Sequence, residues 1–264
     1  MIGGEELKKI QLDILNDVHN FCIENRINYS LAYGTLLGAV RHSGYIPWDD
    51  DIDIMIPRKD YERFILTYSN PIYKVVSVQT DKNYYLPFAK VHNTNTILIE
   101  DVSIKNRYGV NIDVFPIEEM PENEYEIERI FRKKNLLNSI YKFKLIRLGQ
   151  GVSLYKRIII KVVQILLSPI SCRKLVRSME DLIIKSSHSE SNKAGVFMPV
   201  DNKKRWIVNK ELFYNTIDMQ FETYSFKVVS EYDVYLRALY GDYRKLPPIE
   251  QQCTHHSFTA FYTD

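Results

Sequence analysis

Four carboxylates stand within five residues in the run Trp48-Asp49-Asp50-Asp51-Ile52-Asp53-Ile54-Met55-Ile56. Like charges this close repel, and folding them together is unfavourable unless something positive is shared among them. The alternation over Asp51–Ile56 predicts a half-buried strand, in which residues two apart share a face. Asp51 and Asp53 then project together, while Ile52, Ile54 and Ile56 turn into the core. Carboxylates so placed suit one hard divalent cation, Mg²⁺ or Mn²⁺, held through oxygen. An EF-hand loop also begins with alternating Asp, but Ile54 stands where its Gly is required and Asp60 where its closing Glu belongs. Asp49 and Asp50 have a plainer use as caps on turn amides. That use does not account for Asp51 and Asp53.

A third acid is placed in the same way. In Val110-Asn111-Ile112-Asp113-Val114-Phe115-Pro116, Asp113 faces opposite to Ile112 and Val114 on a strand-like run. Beside the first pair it would complete a metal site or accept the proton of an attacking hydroxyl. Upstream lies Leu31-Ala32-Tyr33-Gly34-Thr35-Leu36-Leu37-Gly38. A strand running through Gly34-Thr35 into a helix presents backbone N–H groups to a phosphate. It is not a Walker A loop, which needs Gly-Lys-Ser/Thr.

Around these residues the sequence predicts an amphipathic helix over 4–25, with Leu7, Ile10, Ile14, Val18 and Phe21 at steps of three and four. A short strand at Tyr29–Tyr33 and helical turns at Leu36–His42 follow, then the acidic strand and a helix at Asp60–Tyr68. The β-branched runs at Val75–Val78, Phe88–Val91, Ile97–Ile99 and Val110–Val114 read as strands of one mixed sheet. Residues 122–148 and 154–187 read as helices, and Tyr232–Tyr240 as a late helix ended by Gly241. The fold class expected is an α/β (α+β) mixed sheet flanked by helices, with a helical insertion.

The chain has 264 residues, enough for one large domain or a domain with an insertion. At 45% hydrophobic and 26% charged it is neither disordered nor fibrous. Cys22, Cys172 and Cys253 form no disulfide framework and no CxxC pair, so a reducing cytoplasm is expected. Met1–Glu6 lacks the basic and apolar regions of a signal peptide, and no apolar run approaches the roughly 18 residues of a spanning helix. The overall charge of +2 hides an asymmetry. Residues 129–185 carry 14 Lys/Arg against Glu180 and Asp181, a net +12, which leaves −10 for the rest. Within that segment, Ile158–Ile170 is apolar, too short to span, and bracketed by basic residues. The composition points to an anionic membrane surface as partner, the competing reading being a core helix with outward lysines.

The glycine turn, the Asp-x-Asp strand and the later acidic strand occur in the order of the nucleotidyltransferase superfamily, with Thr35 where Ser or Gly is usual. More closely, Ala32-Tyr33-Gly34-Thr35-Leu36-Leu37-Gly38-Ala39-Val40-Arg41-His42 and its continuation through Trp48 to Ile54 resemble the LicD family of phosphocholine transferases, which includes the fukutin-type phosphosugar transferases. Ile112–Pro116, the tail Tyr240-Gly241-Asp242-Tyr243-Arg244-Lys245-Leu246-Pro247-Pro248 and His255-His256 extend the likeness along most of the chain. The resemblance implies transfer of phosphocholine from CDP-choline to a hydroxyl of a cell-surface glycan (teichoic acid, capsule or lipopolysaccharide precursor), with CMP released. It implies Asp51 and Asp53 on Mg²⁺, and Asp113 on the metal or as base. Gly34, Thr35, Arg41 and Lys90 would contact phosphates; His42, His255 and His256 would serve proton transfer or recognition. Trp48 and Trp206, with some of the 19 tyrosines, would offer an aromatic cage to a quaternary ammonium. The organisation expected is a nucleotidyltransferase-like core at 1–121, a basic insertion at 122–190 and a part packing back at 191–264. The partners expected are a CDP-alcohol donor and a lipid-linked glycan, with no nucleic acid. The protein is expected in the cytoplasm, on the inner face of the membrane. Two alternatives stay open: another CDP-alcohol (ribitol, glycerol, ethanolamine) or nucleotidyl transfer, and a non-catalytic glycan- or membrane-binding module.

Overall fold

The computed structural model describes residues 1–100, 108–146, 153–186, 191–197, 207–254 and 258–263. His255, His256 and Trp206 lie outside the described residues. The first helix, α1 (Gly4–Glu24), buries Leu7, Ile10, Gln11, Ile14, Leu15, Val18 and Cys22 along one stripe. Its apolar spacing produces that stripe. The polar Gln11 within it is explained by the site below.

The main sheet has seven strands, with the path β1 (Ser30–Leu31), β2 (Asp53–Pro57), β6 (Asn111–Met120), β4 (Ala89–Asn93) and β3 (Tyr73–Val76). The ten-residue β6 also pairs with β7 (Lys193–Val196), which pairs with β8 (Ile207–Asn209). Only β2 and β6 run parallel; the other pairings are antiparallel. The fold is therefore a mixed α/β sheet flanked by helices, as the residue pattern predicts.

Several boundaries differ from the sequence reading. The acidic strand begins at Asp53, so Asp51 and Ile52 belong to the loop before it. All five residues of β2 are buried, because the strand is central and covered on both faces; it is not half-buried. Helix α2 (Tyr33–His42) starts three residues earlier than expected and takes Gly34 and Thr35 into its first turn. Strand β5 (Thr96–Glu100) is not part of the main sheet. It pairs with β11 (Phe258–Tyr262), some 160 residues later, and short-range patterning contains no signal for such a partner.

Helix α3 (Arg58–Thr67) follows β2 directly. The long region expected as one helix over 154–187 is two, α5 (Leu154–Leu166) and α6 (Cys172–Ser186), separated at Pro169. With α4 (Glu124–Leu145) and α6 packed together, a second core forms around Met120, Ile127, Ile130, Leu175, Val176 and Met179. A short helix α7 (Glu211–Tyr214), the hairpin β9 (Thr216–Phe221) and β10 (Tyr224–Val229), and α8 (Tyr232–Tyr240) return to the first core. Gly241 ends α8 at φ +70°, a conformation that costs glycine nothing. No helix among the described residues is long and apolar enough to cross a membrane.

Candidate active site

Three adjacent strands align one residue each. Asp53 of β2 is the register partner of Asp113 of β6, and Asp113 is the partner of Lys90 of β4. Register partners in a sheet point to the same face, so Asp53, Asp113 and Lys90 form a row across its middle. Lys90 Nζ donates to Asp113 Oδ1 at 2.7 Å and to Asn111 Oδ1 at 2.8 Å. Asp53 and Lys90 are each only 9% exposed. Burial disfavours the charged form of Asp53, and Asp51, Asp113 and Asp49 disfavour it further, so its carboxyl is held well above the usual range despite Lys90.

The loop before β2 supplies the rest of the cluster. Carboxylate oxygens of Asp49, Asp50 and Asp51 all lie within 4.8 Å of one another. Of these, Asp49 and Asp51 also act on Asp53. Sequence reasoning gave Asp49 and Asp50 to turn capping, yet their carboxylates cluster with that of Asp51. The expected trio of Asp51, Asp53 and Asp113 is gathered electrostatically around Asp53, although the tightest grouping is the consecutive one. The chemistry of this donor set fits a hard divalent cation: oxygen ligands only, an excess of negative charge, and a central carboxyl destabilised as an anion until a cation arrives.

Helix α2 holds the loop from below. Thr35 is buried, and its Oγ1 accepts from the backbone N–H of Asp53 at 2.8 Å. A Cβ on Gly34 would lie 2.6 Å from Asp49 Oδ2, so the missing side chain lets that carboxylate approach the first turn of the helix. The preceding Tyr33 has φ +44°, an unfavourable conformation for a bulky residue, with its ring edge-on to Phe115 at 5.0 Å. Gln11 reaches over from α1 and donates through Nε2 to the backbone oxygen of Asp50 at 3.0 Å. Its polar side chain in an apolar helical stripe was the signal that could have found it. Thr254 donates to Asp50 Oδ2 at 2.7 Å.

Two cavities flank this loop. The smaller, about 60 Å³, is lined by Asp50, Asp51, Lys90, Asn111 and Asp113. The larger, about 630 Å³, is lined by Arg41, Trp48, Tyr240, Asp242, Tyr243 and Lys245 among others. Arg41 donates through Nη1 to the Tyr243 backbone oxygen and through Nε to His42 Nε2, each at 2.9 Å. His42 packs edge-on to Trp48 at 6.4 Å; burial and then Arg41 lower its pKa. Tyr240 was not singled out from sequence. Its phenol pKa is raised by desolvation first and then by Asp53, Asp49 and Asp51. The residue as a whole is 45% exposed, on the wall of the larger cavity.

Residues 26–145 match the family described as LicD/FKTN/FKRP, nucleotidyltransferase domain. This stretch is a LicD-family nucleotidyltransferase domain. It contains the acidic loop, the Asp53–Asp113–Lys90 row and α2. The whole chain is 29% identical over 262 residues to the lipopolysaccharide cholinephosphotransferase LicD of Haemophilus influenzae, covering 97% of each protein. Shorter matches join it to uncharacterised proteins of Rickettsia prowazekii, 40% identical over 68 residues, and Rickettsia typhi, 47% identical over 60 residues. These cover 22% of this chain, and 26% and 19% of the two Rickettsia proteins. The larger cavity joins the LicD-type domain, through Arg41 and Trp48, to a wall from 240–253 that lies beyond it.

Proposed function

We propose that the protein transfers phosphocholine from CDP-choline to a hydroxyl of a cell-surface glycan, releasing CMP. The observation that carries this reading is the row Asp53–Asp113–Lys90, buried at Asp53 and Lys90, beside Asp49–Asp51, set in a LicD-family domain. Similarity to a lipopolysaccharide cholinephosphotransferase along nearly the entire chain supports phosphotransferase chemistry and a choline donor. In Mg²⁺- or Mn²⁺-dependent transfer, Asp51 and Asp53 would hold the metal, with Asp49 adjoining. The bound metal would neutralise the donor diphosphate and the charge that builds up on it.

The chain's own groups supply positioning and proton handling. Thr35 fixes the backbone of Asp53, and Gly34 admits Asp49 to the cluster. Lys90 orients Asp113 through Oδ1, and we assign Asp113 to accept the proton of the attacking hydroxyl. That hydroxyl oxygen bonds to the phosphorus bearing choline, and the bond from this phosphorus to the bridging oxygen breaks. The bridging oxygen leaves on CMP. Arg41 stands in the larger cavity to meet phosphate, and Trp48 and Tyr240 offer π faces to a quaternary ammonium. The acceptor on this reading is a lipid-linked glycan at the inner face of the membrane.

The test is to follow CDP-choline and a glycan acceptor by ³¹P NMR, with and without Mg²⁺. The expected result is CMP release that requires both, with choline phosphate retained on the acceptor. Transfer of CMP itself would make the protein a nucleotidyltransferase, and preference for CDP-ribitol or CDP-glycerol would reassign the donor.

A further inference from the structure

Helix α5 (Leu154–Leu166) buries none of its residues. Leu154, Tyr155, Ile158, Val162, Ile165 and Leu166 are exposed by 49–74%. At 3.6 residues per turn these six fall within an arc of about 120°. The exposed apolar side is therefore one continuous face. Of the exposed lysines, Lys161 borders this face, and Lys156 lies about 80° beyond its other edge. The opposite side is fastened to the end of α4. Gln164 Nε2 donates to the backbone oxygens of Phe143 (3.3 Å) and Ile146 (3.0 Å), and Lys144 Nζ donates to that of Leu167 at 2.7 Å. These bonds fix which face looks outward.

The next helix shows the ordinary outcome for such a sequence. Helix α6 is also amphipathic, and it buries Leu175, Val176, Met179 and Ile183 in the second core. A core helix with outward lysines, the competing reading of this segment, describes α6 and not α5. We propose that α5 docks the protein on an anionic lipid bilayer, lying in the interface plane with its apolar face among the acyl chains. The 13-residue helix is about 20 Å long, too short to span a hydrocarbon core and suited to lie in its surface. Its exposed lysines, within a segment of net +12, complement anionic headgroups. The same charge argues against a second copy as the occupant, since a twofold pairing would set two strongly basic faces together. The inference stands on α5 and does not depend on the donor chemistry.

Flotation of the full chain with vesicles tests it, using phosphatidylcholine alone and phosphatidylcholine with about one third phosphatidylglycerol. Binding is expected on the anionic vesicles, at least about tenfold above the neutral ones, and weakening as salt rises. The double variant Ile158→Glu/Ile165→Glu is expected to lose about tenfold or more of that binding, and Lys156→Glu/Lys161→Glu to lose its preference for anionic lipid. Both variants change exposed side chains, so circular dichroism and soluble-substrate turnover are expected to match the wild type. Equal binding to both vesicles, no binding to either, or binding indifferent to Ile158→Glu/Ile165→Glu overturns the proposal. Concentration-dependent dimers in sedimentation equilibrium, abolished by the same substitutions, would give this face to a second copy and overturn it equally.

Discussion

Asp53 is where the electrostatics of the site converge: desolvated, flanked by three other acids and relieved in part by Lys90. Replacing it with Asn removes a repelled carboxyl without removing volume. In the absence of metal, Asp53→Asn is expected to melt at or above the wild-type temperature while losing the Mg²⁺-induced rise, which calorimetric scans with and without metal will show. Its support can be tested separately. Thr35→Val leaves the buried Asp53 N–H without its acceptor and is expected to cost about 1–3 kcal/mol in urea unfolding, whereas Thr35→Ser keeps the acceptor and recovers most of it. Gly34→Ala puts a Cβ 2.6 Å from Asp49 Oδ2, so that carboxylate must move. Because Asp49 ends in a side chain that can swing aside, stability is expected to change by less than about 1 kcal/mol while turnover falls about tenfold or more. The acids were legible in sequence because repulsion has to be compensated. Tyr240 was not, since it reaches the site only through the packing of a helix distant in sequence, and Gln11 left a single signal, a polar side chain in an apolar stripe.

Among the elements, α6 ties the basic segment to the sheet through a buried charge group. Arg58 at the start of α3 pairs with Glu118 of β6, and Glu180 of α6 lies against them. Burial above all, with Glu118 and Asp181 adding to it against Arg58 and Arg177, raises the Glu180 carboxyl to about 7. An acid raised in the folded state contributes stability that is complete below its unfolded value, near 4.5, and is lost as pH rises through 7. Between pH 5 and 8 the wild type is expected to lose stability on the order of 2 kcal/mol from this group, and Glu180→Gln to flatten that slope. Urea midpoints at the two pH values check it. Local punctuation was read well at Gly241, which stops α8 where predicted, and was overlooked at Pro169, which separates α5 from α6. It was read poorly at α2, whose first turn begins on the strained Tyr33 instead of after the glycine.

At the scale of the molecule, the two ends of the chain meet. Strand β11 closes β5, Ile2 bridges Ala260, and Phe258 helps line the smaller cavity. Removing residues 258–264 is expected to lower the melting temperature by several degrees and to weaken metal-dependent donor binding, since one wall of that cavity goes with the strand. A pairing between residues 96–100 and 258–262 cannot be inferred from local periodicity, which is why β5 was assigned to the main sheet. The charge division, by contrast, is plain in the sequence, and its positive part coincides with the helices around the exposed face of α5. The central claim is that the loop and row of acids hold a divalent cation against a nucleotide diphosphate. Titration calorimetry of CDP-choline in Mg²⁺ tests it most directly. Binding is expected for the folded wild type, lost without Mg²⁺ and weakened about a hundredfold or more in Asp51→Asn and Asp53→Asn. Unchanged affinity in both variants would contradict the account.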